Sequence, residues 1–313
     1  MLKLHSQAYP DISKRNGLRF VAFDLDGVLV DIDSSWQLIH RRFNTDNEEN
    51  FDRYLRGEID FKEFMRSDIR LWKRAPLSTI ESILDSAQLM TGAMETIQTI
   101  KERHLEPLIV SSGISILADR IAEKLGIKLA YANRLIADKN GQLSGEGEEV
   151  VPLNAKDRVL REAMKKQGSR PRDCVTVGDS RHDIPFFRAS GLSIAFNSKD
   201  DKTRQAADVT VDGRDLRQIL PWVTGQRPDK GLISLDLGRR EAEAVVTSLS
   251  PDNLKVPAGL SVNAFRKGSK VVMRVTSLKG IGTMLATLDD LLASAELARE
   301  AINVTRDRIA SAR

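Results

Sequence analysis

Apolar residues keep two different periods along this chain, and the switches between them mark its organisation. FVAF at 20–23 is an unbroken apolar run, as a strand covered on both faces requires. From Ser34 to Met90 the period changes. Trp36, Ile39 and Phe43, then Phe61, Phe64, Met65, Ile69 and Trp72, fall three and four apart, which predicts an insertion built of amphipathic helices. Beyond it strands and helices alternate. LEPLIVSS reads as a strand, ISILADRIAEKLG as a helix, and YANRLIADKNGQLSGEG as a hairpin turning at Asn140-Gly141. Helix NAKDRVLREAMKKQG, strand CVTVGD, helix RHDIPFFRASG and strands near LSIAF and DVTV follow. Such alternation predicts an α/β fold, a doubly wound and mainly parallel sheet with a helical cap inserted at about 34–90.

The pattern breaks again at TGQRPDKG, 224–231. After it come strand GLISLDLG, helix RREAEAVVTSLS, strands LSVNAFRKG and KVVMRVTSL turning at Lys267-Gly268, and a long helix from about Ile281 to Ile309. This predicts a small C-terminal α+β domain over 229–313, after a main domain over 18–228 and an N-terminal extension over 1–17. A length of 313 residues agrees with about two domains.

Composition adds mainly exclusions. Apolar content of 41% with 29% charged residues describes a soluble globular protein, and no run reaches the roughly 18 apolar residues of a membrane span. MLKLHSQAYPDISKRNG has no apolar signal core, so a cytoplasmic location is expected. The 48 basic residues are nearly balanced by 44 acidic ones, which argues against a nucleic-acid partner. Cys174 is the single cysteine; inside CVTVGD it reads as a small buried hydrophobe.

Candidate chemistry starts where FVAF runs into Asp24 and Asp26. Two carboxylates at the end of a buried strand repel each other and resist desolvation, so a cation or a reaction is expected there. The tetrapeptide DLDG alone reads equally as an Asp/Gly turn or part of a calcium loop. Three further pieces follow at or beside strand ends: Ser111, Lys156 and GDSRHD at 178–183 with Asp179 and Asp183. Through FDLDGVLVD, LIVSSGIS, YANRLIADKNGQLSGE, LNAKDRVL and VTVGDSRHDIPFFRASG, residues 20–223 resemble the haloacid dehalogenase (HAD) superfamily, most closely its phosphoserine phosphatase branch.

The resemblance implies a phosphatase working through an aspartyl-phosphate on a small phosphorylated metabolite. Asp24 would be the nucleophile and Asp26 the general acid and base. Ser111, the Ser112 and Gly113 amides and Lys156 would hold the phosphoryl group. Asp24, Asp179 and the Asp26 carbonyl would hold Mg²⁺, with Asp183 bonded to metal waters or to Lys156. Without the resemblance Lys156 would read as a surface lysine; His182 reads as a flanking residue.

In the cap the resemblance implies an acid after the first motif, where Asp33 stands, and an arginine for a substrate carboxylate, where Asp68 stands. Arg66 and Arg70 flank Asp68 and are further cap candidates. Residues 231–310 resemble the small dimer-forming subunit of the KEOPS tRNA-modification complex, through REAEAVVTSLSPDN, VNAFRKGSKVVMRVTS and GIGTMLATLDDLLASAELAREAI. That implies a homodimer through the C-terminal domain, or a KEOPS-type protein partner. Leu285, Leu288, Leu292, Ala295, Leu297 and Ile302 form the expected apolar stripe of the last helix, which packing on its own strands would also explain. A basic turn of Arg266, Lys267 and Lys270, with Phe265 alone for stacking and Gly280 and Gly282 in G-I-G, is poor equipment for RNA. A scaffold or regulatory protein and a phosphomutase stay open as alternatives.

Overall fold

In the computed structural model, which describes residues 17–72, 74–225, 229–249, 260–277 and 281–311, Phe20–Phe23 forms β1 and is buried at every position. The helices α1 (Ser35–Phe43), α2 (Glu48–Leu55), α3 (Phe61–Leu71) and α4 (Leu77–Asp85) follow, then α5 (Ala93–Glu102) and β2 (Glu106–Ile114). Next come α6 (Ser115–Leu125), β3 (Leu129–Ala137), β4 (Leu143–Glu148), α7 (Lys156–Lys166) and β5 (Cys174–Gly178). The unit ends with α8 (Ile184–Ala189), β6 (Leu192–Phe196), α9 (Asp201–Ala206), β7 (Val209–Val211) and α10 (Leu220–Thr224). Residues 1–16 of the expected N-terminal extension and 226–228 of the expected linker lie outside the described residues.

The seven strands lie in the order β4-β3-β2-β1-β5-β6-β7. β1 pairs in parallel with β2 on one side and β5 on the other. The chain therefore winds outward twice from β1, and the carboxyl ends of β1, β2 and β5 meet at the switch point where open α/β sheets bind ligands. Helices α7 and α8 cover one face through Val159, Leu160, Met164 and Phe186, against Phe20, Ala22, Leu108 and Val110. Helices α5 and α6 also lie against β2 without joining that cluster, so both faces are covered. This is the doubly wound α/β fold with an inserted helical cap.

The cap leaves and rejoins the sheet at one place. Val30 bridges Leu89, Asp31 N donates to Gln88 O and Met90 N donates to Leu29 O, so the two stems run side by side. The cap also rests on the β3–β4 hairpin. Gly147 in β4 lets α3 approach: a Cβ there would come within 2.9 Å of both Ile69 Cδ1 and Met65 Cε. Arg66 Nε donates to Glu146 at 2.8 Å across the same seam.

The second unit, beginning at Gly225, has its own core. Strands β8 (Asp229–Asp236), β9 (Leu260–Lys267) and β10 (Lys270–Ser277) form an antiparallel sheet in the order β8-β10-β9, with α11 (Arg239–Leu249) and α12 (Ile281–Ser311) packed against it. Lys267 pairs with Lys270, so the turn is Gly268-Ser269 rather than Lys267-Gly268; Gly268 takes the positive φ of 65° that the tight reversal needs. The apolar stripe of α12 also differs from expectation. Met284, Leu288, Leu291 and Ala295, four and three residues apart, are the buried set, while Leu285 and Leu297 are 50% and 67% exposed and Leu292 and Ile302 only flank the core. The helix thus spends its main stripe on its own sheet, and Gly231 in β8 lets Leu288 come close. Gly280 and the SPDN segment at 250–253 lie outside the described residues.

Cys174 on β5 is fully buried, and burial pushes its thiol pKa up, so the reactive thiolate does not form. We expect the native protein to resist a thiol reagent at neutral pH and the denatured chain to take up one equivalent. Rapid labelling of the native protein would contradict the buried position.

Candidate active site

Asp24 sits one residue past β1, where its backbone N–H donates to Val177 O on β5 at 2.9 Å. The residue is 6% exposed; Oδ1 accepts from Leu25 N at 2.7 Å and Oδ2 lies 2.7 Å from Lys156 Nζ. Asp26 projects beside it. Its Oδ2 accepts from both the backbone N–H and the hydroxyl of Ser35, at 2.7 and 2.8 Å, so it caps the start of α1, while Oδ1 has no partner among the described residues. Gly27 explains the glycine of the motif. Its φ is +76°, and a Cβ there would overlap the Asp179 carboxylate.

Lys156, the first residue of α7, is 2% exposed and also bonds Asp183 Oδ1 at 2.6 Å. The other Asp183 oxygen accepts from the Asp179 and Ser180 amides, both at 3.1 Å, and from the Ser180 hydroxyl. A short 3₁₀ turn, Arg181–Asp183, brings that about instead of a full helical turn. Asp24, Asp179 and Asp183 each bring one oxygen within 4.8 Å of the others. The Asp26 side chain is outside that group.

Ser111 is 1% exposed near the end of β2, where the register with β3 shifts between Val110 and Ile114. Its Oγ already accepts from Gly113 N at 3.0 Å, so that expected amide donor is engaged within the loop. A Cβ on Gly113 would lie 2.7 Å from Ser35 Oγ, 3.1 Å from Asp26 Oδ2 and 3.1 Å from Ser111 Oγ, which shows how closely the three converge. Two residues outside the motifs hold this loop. Asn133, fully buried, donates to Ser112 O and Val151 O and accepts from Val150 N and Val151 N; Trp36 Nε1 donates to Ser112 O at 3.1 Å.

These groups form one end of a cavity of about 310 Å³, whose other end is made by the cap. Asp33 and Asp68 line it; Asp33 is exposed and Asp68 is 2% exposed. Arg66 and Arg70 do not line it. They pair with Glu63 and Glu146 on the outer side of α3, because β4 brings Glu146 alongside them. His182 does line the cavity rather than merely flanking it, with Nδ1 2.9 Å from Asn154 Oδ1. No site role was read in the sequence for Ser35, Trp36, Asn47 or Asn133; Trp36 was placed only in the helical apolar period and Asn133 only in the hairpin, while for Ser35 a signal was present, the Ser34-Ser35 pair opening that period.

Burial pushes the Asp24 carboxyl up to about 7 against the pull of Lys156, with Asp183 adding to the rise. Burial, then Asp183 and Asp24, raise Asp179 strongly, and burial raises Asp26. Burial also pulls on the Lys156 ammonium, but Asp183 and Asp24 outweigh it and raise its pKa. Three acids thus share one cation, an arrangement that suits a divalent ion held by oxygen ligands.

The sign of the pH effect follows. A carboxyl raised above its unfolded value of 3.8 binds a proton in the folded state that the unfolded chain releases, so stability falls as pH rises from about 4 through about 7. Asp24→Asn imitates the protonated form. In EDTA it should be more stable than wild type at pH 8, with the gain shrinking toward pH 5. Thermal melts of both proteins across that range check this; a loss of stability at pH 8 would mean that the Lys156 contact outweighs burial.

Comparison with known proteins agrees with the geometry. Residues 21–188 match the family of haloacid dehalogenase-like hydrolases. Phosphoserine phosphatase of Methanocaldococcus jannaschii is 33% identical over 207 residues, covering 66% of this chain and 97% of that protein. The Archaeoglobus fulgidus phosphoserine phosphatase is 32% identical over 200 residues, 63% of this chain and 58% of its own length. A structure of a phospho-aspartyl intermediate analogue of phosphoserine phosphatase superposes with a TM-score of 0.58 at 34% identity, covering 65% of this chain and 98% of that one. The chain belongs to the haloacid dehalogenase-like hydrolases, and it is a phosphatase of their phosphoserine phosphatase-like branch.

Proposed function

We propose that Asp24 and Asp26 carry out phosphomonoester hydrolysis at the carboxyl end of the sheet, on a metabolite small enough for the cavity of about 310 Å³. The observation that supports this most is the chain of contacts Asp24–Lys156–Asp183–Asp179, buried beneath that cavity. Asp24 attacks phosphorus and forms an aspartyl-phosphate as the P–O bond to the leaving group breaks. Asp26, whose Oδ1 is unpartnered and whose pKa is raised by burial, gives the departing alkoxide its proton and then takes one from the water that splits the aspartyl-phosphate, releasing inorganic phosphate. The Ser111 hydroxyl and Lys156 receive the phosphoryl oxygens, and Lys156 keeps Asp24 in place between attacks. The donor set fits Mg²⁺: Asp24 and Asp179, with the Asp26 carbonyl, would be its hard oxygen ligands, and the carboxylates of Asp24, Asp179 and Asp183 gather around one ammonium. Bound there, Mg²⁺ would supply charge neutralisation for the dianionic phosphate.

For the second unit we propose self-association, in keeping with its resemblance to the KEOPS dimer-forming subunit. Leu232, Leu285 and Leu297, at 49%, 50% and 67% exposure, are apolar surface that a second copy would cover. Among the described residues no helix is long and apolar enough to cross a membrane.

Purified protein should hydrolyse an aryl phosphate in Mg²⁺ and lose that activity in EDTA, and Asp24→Asn should abolish it. Asp26→Asn should lose about 10²- to 10⁴-fold on an alkyl phosphate but far less on an aryl phosphate, whose leaving group needs little protonation. Equal losses on both would contradict the acid role. A chain ending at about residue 228 should be monomeric by light scattering and still turn over the aryl phosphate, whereas the full chain should be dimeric; a monomeric full chain would contradict self-association.

A further inference from the structure

The phosphoryl end of the cavity leaves its cap end unexplained, and there Asp68 stands out. It is 2% exposed and lines the cavity. Oδ2 accepts from Asn47 Nδ2 at 2.8 Å and lies 3.4 Å from His40 Nε2, while Oδ1 has no hydrogen-bond partner among the described residues. His40 is its one basic neighbour among the described residues. The His40 Nδ1 is occupied on the far side of the ring, 3.3 Å from Trp72 Nε1 and 2.9 Å from Thr45 Oγ1. Asp68 is therefore a buried carboxylate whose Oδ1 is unpartnered and which pairs with no lysine or arginine among the described residues.

The rest of the cavity does not offer one. Among the described residues no arginine lines it, and its single lysine, Lys156, is held between Asp24 and Asp183. Burial keeps the His182 imidazole toward its neutral form. Trp36, Phe51, Phe61 and Phe64 supply aromatic wall, and Asp33 supplies a second carboxylate. Aromatic faces and a carboxylate with a free oxygen attract an organic cation; a substrate carboxylate placed beside Asp68 would be repelled.

We propose that the cap end is a leaving-group subsite for an ammonium that donates to Asp68, so that the preferred substrates are phosphate monoesters of amino alcohols lacking a carboxylate. This rests on the phosphatase reading above. Asp68 is then a residue that determines specificity, and Asn47 and His40 position it.

The test compares kcat/KM for phosphoethanolamine, glycerol phosphate and L-phosphoserine, with an aryl phosphate as the indicator of phosphatase chemistry. Wild type should prefer phosphoethanolamine over each of the other two metabolites by at least about tenfold, and Asp68→Asn should shrink the preference over glycerol phosphate by a similar factor. A wild-type preference for L-phosphoserine, or an unchanged ratio in Asp68→Asn, overturns the proposal. Absence of aryl phosphate turnover would count against the phosphatase reading instead. The subsite is then read by calorimetry on Asp24→Asn protein, which also serves if Asp68→Asn does not fold: phosphoethanolamine should bind more tightly than L-phosphoserine, and equal or reversed affinity overturns the proposal.

Discussion

Lys156 Nζ, buried and bonded at once to Asp24 Oδ2 and Asp183 Oδ1, is the contact from which the rest of the site takes its shape. Desolvating an ion costs several kcal/mol, roughly, and the contact holds only because both carboxylates are fixed by backbone amides. That requirement places β1 beside β5, starts α7 at Lys156 and bends the chain after Asp179 into a 3₁₀ turn. It also leaves three carboxylates, Asp24, Asp179 and Asp183, repelling one another around a single ammonium. Burial, with that repulsion adding to it, raises Asp24 and Asp179 in the free protein, and the same oxygens are a fit for a divalent cation.

Division of labour follows from how the cap is attached. Its stems meet at Val30 and Leu89, beside the sheet end that carries Asp24 and Asp26, and its outer side is tied to the hairpin through Arg66 and Glu146. The sheet end carries groups suited to phosphoryl transfer, in positions set by strand pairing. The cap carries Asp33, Asp68 and the aromatic wall, and it meets the sheet end through Ser35 on Asp26 and Trp36 on Ser112 rather than through Asp68. A chain can therefore keep the family's sheet end and change what the leaving group meets.

Much of this was legible because it depends on local rules. Asp24, Asp26, Ser111, Lys156, Asp179 and Asp183 each stand at a short offset from a strand end or a helix start, and the alternation of periods predicts the sheet that brings those ends together. The parts that escaped depend on partners distant in sequence. Asn133 is an ordinary strand residue until it is seen to bind Ser112, Val150 and Val151. Arg66 and Arg70 look available on an isolated helix, and only the approach of β4 shows that Glu146 engages them. In the second unit, α12 contains leucines on several sides, so periodicity alone could not decide that Met284 and Leu291, rather than Leu285 and Leu297, meet the sheet.

Everything proposed for the sheet end depends on Asp24 accepting the phosphoryl group. Protein mixed with an aryl phosphate in Mg²⁺, quenched in acid during turnover and digested, can be read by mass spectrometry. The account predicts one phosphoryl group on the peptide containing Asp24, lost on treatment with hydroxylamine and absent from Asp24→Asn. Turnover without a phosphorylated Asp24 peptide, or a phosphoryl group that persists in Asp24→Asn, would contradict it.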